Sequence, residues 1–195
     1  MHFHFDVISD QHRSISHQFA VESLDHKTAI LDLNASCVQS YTLYLELFDN
    51  LRQMGRYTSC GYVLVRLGHL AVRIGDLESA ANYLEQSLAI FMPHARKTGM
   101  IQCLLCYADL HRVRSKSALA VQLLAVTEIG QSTNPFDQML RERVLAVARL
   151  QLSVTEFSRA WHAGQQMTLD AALALARTSA RVLPLPPSPT TPLAD

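Results

Sequence analysis

The side chains in this sequence that could do chemistry are two cysteines and a scatter of histidines. Cys103-x-x-Cys106 sets two thiols one helical turn apart, a spacing that suits a redox pair or half of a zinc site. His2, His4, His12 and His17 crowd the N-terminus and could chelate a metal against a preformed partner site. His69 and His111 stand apart, with no obvious carboxylate or nucleophile to make either an acid–base catalyst. A plainer role is expected for each. The cysteine pair falls inside a predicted helix instead of a βαβ unit, and no second pair completes a zinc ligand set, so packing is expected. The N-terminal histidines read as flexible surface residues, and His69 and His111 as structural or partner-contact residues. No phosphate loop G-x-x-x-x-G-K-[ST], no G-x-G-x-x-G turn and no Ser/His/Asp order in a strand-turn-helix context is present. The expectation is a non-enzymatic chain with no cofactor and no metal. The alternatives are a small-ligand or metal-dependent helical protein using these histidines and cysteines, or a DNA-binding regulator.

Composition narrows the class further. The 195 residues suffice for one domain with a core, and the 49% apolar content marks a globular chain. Seventeen basic and 17 acidic residues cancel, whereas duplex-DNA binders and membrane-surface proteins usually carry a basic excess. The first residues lack the basic and apolar regions of a secretory signal, and no apolar run reaches the roughly 18 residues of a membrane span, so the expected location is the cytoplasm.

The elements that would position these side chains repeat. Leu64, Leu67, Gly68 and Ala71 recur at helical spacing, followed by the turn Gly75-Asp76, then Ala80, Leu84 and Ser87, with Pro93 beyond. Small residues where two helices cross and bulky ones around them are the tetratricopeptide (TPR) pattern of antiparallel helix pairs. The same frame returns 40 residues on, from Gly68 to Ala108: Leu104, Tyr107, Ala108 and His111, Ser115 in the turn, then Ala120, Leu124 and Thr127. The step exceeds the usual 34, so extra residues should lengthen the second helix or its exit loop near "PHARKTG". A degraded copy lies upstream: Leu24, Thr28 and Leu31, a turn at Asn34-Ala35-Ser36, then Ser40, Tyr44 and Leu47, with Lys27 where an apolar residue belongs.

After residue 130 the repeat is expected to stop. Asn134 and Pro135 begin a helix whose apolar face is Met139, Val144, Leu145, Ala148 and Leu152. A shorter helix from about Thr155 to Ala163 packs Phe157, Ala160 and Trp161, and Thr168 opens a last helix with Leu169, Leu173 and Leu175. The predicted organisation is an all-α TPR-like helical-hairpin solenoid over 18–180 with terminal capping helices. An irregular or disordered N-terminus (1–17) precedes it, and a disordered Pro-rich tail (181–195) follows. First helices of such repeats line a concave side. The positions expected there are Tyr62, Val65, His69, Val72 and Arg73, then Gln102, Leu105, Asp109, Arg112 and Val113. The polar members and Tyr62 are candidate contacts for a protein or peptide partner.

"WHAGQQMTLDAALALAR" (161–177) could be half of a helix-turn-helix or the cap of the stack. A recognition helix needs polar side chains for base edges. The helix after the turn offers Ala and Leu, and the Pro-rich "VLPLPPSPTTP" beyond it cannot form one. The stretch therefore reads as a cap, with Trp161 and Leu169 as anchors.

"LVRLGHLAVRIGDLESAANYLEQSLAIF" and "CLLCYADLHRVRSKSALAVQLLAVTEIG" followed by "FSRAWHAGQQMTLDAALALA" are similar to a known family region. They resemble the C-terminal TPR, MalT-like region of large bacterial LuxR-type transcriptional regulators that carry an ATPase module. The resemblance covers roughly residues 37–180 and departs from the pattern at Lys27, in the first 17 residues and at Ser115-Lys116, where Gly-Asp is usual. It implies a helical scaffold for signal transduction and transcription regulation. Its partner would be a protein or peptide, such as an ATPase or DNA-binding domain of the same system, without direct contact to nucleic acid or membrane. The family's nucleotide and DNA residues have no counterparts here.

Overall fold

The computed structural model describes residues 37–127 and 134–180, all of whose regular elements are helical. They are α1 (Cys37–Gln53), α2 (Tyr57–Ile74), α3 (Leu77–Phe91), α4 (Lys97–Val113), α5 (Ser117–Val126), α6 (Pro135–Gln151), α7 (Val154–Gln165) and α8 (Leu169–Ala180). The expectations for the N-terminal 17 residues and their histidines, for Leu24 to Ser36 and for the Pro-rich tail lie outside the described residues. No described helix is long and apolar enough to cross a membrane.

The first five helices keep a strict beat. Gly55, Gly75, Ala95 and Ser115, at every twentieth residue, are the described residues with positive φ. Each ends its helix in the same way: the next N–H donates five residues back, from Arg56 to Leu51, Asp76 to Ala71, Arg96 to Phe91 and Lys116 to His111. This is the Schellman closure, and it satisfies carbonyls that the helix end would otherwise leave bare. Gly75, at φ 86°, adopts the left-handed conformation without steric cost. Its successor Asp76 caps α3 by accepting from the Ser79 N–H at 3.0 Å. The expected turn at Gly75-Asp76 is present, and so is the one at Ser115.

The same beat carries the core. Leu64, Leu84, Leu104 and Leu124 are all buried, each one unit apart. The 40-residue step read in the sequence is therefore two successive 20-residue helix-plus-turn units. The residues beyond a 34-residue pair are absorbed partly by the 3-10 turn Met92–His94 that extends α3 into Ala95. α2 and α3 run antiparallel. A Cβ on Gly68 would lie 3.1 Å from Leu84, and one on Gly61 would meet Phe91. Ser40 and Tyr44 are buried in α1, as the upstream copy predicts, and Leu47 is half-buried against the same core.

Beyond residue 130 the helices continue to pack on those before them. Val65 contacts Cys106 and His69 faces Asp109, so α4 lies parallel to α2. Gln102 meets Asp137 and Asp109 meets Arg143, so α6 lies parallel to α4 and extends the row. α6 joins the α4 core through Leu140 and Val144, with Phe136 and Leu145 packed against it, and adds the polar contacts of Asp137 and Arg143. Asn134 caps it as expected, accepting from Phe136 N–H at 2.9 Å. Met139, however, is exposed and outside the buried face formed by Val144 and Ala148.

α7 packs chiefly on α5, and α8 lies antiparallel to α5, across α4. α7 begins earlier than expected, through a Ser153–Glu156 capping box, and runs through Gly164 instead of ending at Ala163. In α8, Ala172, Leu173, Ala176 and Ala180 are buried, while Trp161 and Leu169, the expected anchors, are only half-buried. Arg114 and Lys116 donate to the Ala180 and Ser179 carbonyls, placing cations at the carbonyl end of α8.

Candidate functional site

The residues expected to line a concave face do not share one surface. Arg73 is exposed, Tyr62 is half-buried against Phe91, and Arg112 is half-buried. His69, Gln102 and Asp109 are buried, as are Val65, Val72 and Leu105, whereas Val113 is exposed. The cause is α6, whose first turn lies over the α2–α4 seam. Arg66 stacks on the Phe136 ring at 3.8 Å, and the edge of that ring meets His69 with centroids 4.8 Å apart. Gln102 donates to Asp137 at 3.0 Å, and Arg66 lies 3.8 Å from the other Asp137 oxygen. Asp109, 0% exposed, accepts from Arg112 and Arg143 at 2.7 Å each. A buried carboxylate tolerates its position only when paired in this way.

His69 is the odd member of this junction. Neither ring nitrogen has a hydrogen-bond partner among the described residues, and Nδ1 stays 3.8 Å from Asp109. Burial, then the nearby Arg143, Arg66, Arg73 and Arg112, hold its pKa well below the usual imidazole range, so it is neutral. A neutral imidazole facing a ring edge and arginines acts as packing and leaves no base poised toward solvent.

The other candidates for chemistry are also committed to the interior. The Cys103 thiol lies 3.3 Å from the Ser87 hydroxyl, while the Cys106 thiol points to the Val65 carbonyl at 3.9 Å. Burial pushes Cys103 up to about 12 and raises Cys106 well above the ordinary thiol value. Neither is a thiolate at neutral pH, the form that nucleophiles and zinc ligands need. His111 is buried, donates to the Ala176 carbonyl at 3.0 Å and is lowered to about 4, chiefly by desolvation. Among the described residues no group of three or more His, Cys, Asp or Glu is arranged to hold a metal.

An open cleft lies elsewhere, at the α6–α7 corner. Its lining is Arg149, Phe157, Ser158, Trp161 and His162, around a volume of about 190 Å³. Phe157 and Trp161, one turn apart on α7, present nearly parallel rings 6.0 Å between centroids. The Arg149 guanidinium sits over Phe157 and that of Arg141 over Trp161, each at 5.6 Å. Beside the cleft, Leu150 and Val154 are 87% and 85% exposed. The sequence pattern predicts Phe157 and Trp161 as packing residues. Their half-exposure was not legible, because α7 turns its aromatic stripe only partly onto α5.

Compared with protein-family models, curated proteins and solved structures, the chain matches none.

Proposed function

We propose that this chain is a non-enzymatic protein-interaction or sensor module built as a TPR-like helical scaffold. The observation that carries the reading is the corner between α6 and α7, where an open aromatic cleft lies close in the chain to the almost fully exposed Leu150 and Val154. Isolated exposed apolar residues are common, but a contiguous patch rimmed by polar groups marks an interaction site. The parallel row α2, α4, α6 supports the scaffold, since stacked units bury their faces on neighbours and leave the last unit to meet something else. The resemblance to the C-terminal region of bacterial LuxR-type regulators supports a partner from the same system, such as its ATPase or DNA-binding domain. The first turn of α6 covers His69, Gln102 and Asp109, so the interaction is assigned to the corner and not to the seam between α2 and α4.

The test is affinity purification of the tagged full chain from its own cells after cross-linking. A protein partner recovered in stoichiometric amount, and lost with the surface pair Leu150→Asp, Val154→Asp, is the expected result. Stoichiometric zinc in the purified chain, or tight salt-sensitive binding to duplex DNA, would instead favour the metal-dependent or DNA-binding alternative.

A further inference from the structure

We propose that the Arg149–Phe157–Trp161 cleft binds a peptide segment of a partner protein in which an Asp or Glu adjoins a bulky apolar residue. This deepens the interaction-module reading and rests on it. Every charged or ionisable group lining the cleft is basic: Arg149 and, when protonated, His162. Ser158 adds a hydroxyl. Arg149 is held over the Phe157 ring and has no carboxylate partner among the described residues. A guanidinium anchored on an aromatic face is set to receive a carboxylate, with the ring as the floor for the neighbouring apolar group.

Size and charge select the source. Small-molecule pockets usually measure about 300–1,000 Å³, and a cleft of about 190 Å³ has room for one or two side chains. Val154, Phe157, Ser158 and Trp161 fall at i, i+3, i+4 and i+7, so one face of α7 carries the two half-buried rings together with the exposed Val154. That is the footprint of a peptide. Nucleic acid is disfavoured because the chain carries no net positive charge to neutralise phosphates.

Trp161 is the single tryptophan and reports on its own cleft. The experiment selects random dodecapeptides displayed on phage against the full-length chain, then titrates the enriched peptides while following Trp161 fluorescence. Enriched sequences should pair Asp or Glu with Leu, Phe or Trp and shift the emission. Arg149→Glu should weaken them by about tenfold or more, and Arg149→Lys by less. Changing the peptide carboxylate to Lys should recover binding to Arg149→Glu. Both Arg149 variants are surface changes whose folding circular dichroism verifies. Ser158→Trp, which fills the cleft and leaves the charge in place, should also abolish binding. The proposal is overturned if no peptide is enriched, if enrichment lacks acidic residues, or if Arg149→Glu binds equally well. It is equally overturned if a short DNA duplex displaces the peptides at physiological salt, or if a synthetic 181–195 peptide occupies the cleft as tightly. A partner from cells that still binds Arg149→Glu refutes the cleft alone, whereas absence of any partner refutes the scaffold reading itself.

Discussion

Gly164 in α7 rests directly against the main-chain carbonyl of Gln122 in α5, and a Cβ there would also come within 2.7 Å of the Ala125 methyl. The glycine that looks in sequence like a turn residue is helical, and its lack of a side chain lets two helices touch backbone to backbone. Gly164→Ala should therefore lower stability by about 1–3 kcal/mol through overpacking, outweighing the gain of about 1 kcal/mol that alanine brings to a helix interior. A urea midpoint equal to or above that of the parent chain would show that α5 and α7 are not in backbone contact.

Asp109 is enclosed between Arg112 and Arg143 at the α4–α6 contact. Asp109→Asn leaves the shape and removes the charge that both guanidinium groups face. The expected loss is about 3 kcal/mol, at the low end for a broken buried pair, because the two arginines keep part of their hydration. Replacing both partners, Asp109→Leu with Arg143→Met, should recover part of it. A single variant as stable as the parent would mean that α6 is not held at this seam.

His69 and His111 make stability depend on pH. The unfolded chain protonates an imidazole near pH 6.5. Folded His111 does so at about 4, and His69 well below its ordinary value. Between those limits the unfolded state binds more protons, so stability is fully present above about pH 6.5 and falls on acidification. Urea midpoints taken from about pH 7.5 to about pH 4.5 should decline, and His111→Gln should flatten the slope. A midpoint that rises as the pH drops would contradict the burial of these rings.

α8 is held by two contacts of unequal worth. Arg177 donates to both carboxylate oxygens of Glu85, at 2.7 to 3.0 Å, yet each side chain is about a third exposed. Leu173 is buried in the main core. Arg177→Ala should cost about 0.5–1 kcal/mol and Leu173→Ala about 2–5 kcal/mol. Thermal melts in low and high salt distinguish them, since only the first loss should shrink as salt screens the pair. The reverse order would mean that α8 is held chiefly by its ion pair.

Much of the helical order is legible in the sequence. Leu64, Ala71, Ala80, Leu84, Leu104, Ala108, Ala120 and Leu124 were placed on buried faces by spacing alone, and all are buried. Asp76, Asn134 and Thr168 were legible as helix starts because a cap is a bond to a main-chain group two or three residues on. The polar junction was not legible. Arg66, Asp137 and Arg143 look like ordinary solvated charges in sequence, and their meeting depends on α6 crossing a seam formed by helices far upstream. His69, Gln102 and Asp109 were assigned to an open face for the same reason: the helix periodicity shows which side of α2 or α4 they occupy, but not what covers that side.

The sequence by itself determined the all-helical class, the turns at Gly75 and Ser115 and the apolar faces of the repeating helices. Those features follow from local hydrogen bonding and from the 3.6-residue period, both of which act over a few neighbours. Only the tertiary structure decided that α6 extends the row, that Gly164 is a contact instead of a turn, and that Arg149, Phe157 and Trp161 share a cleft. Each of these depends on how segments distant in the chain fill space against one another, and close packing leaves no local signal of which neighbour arrives.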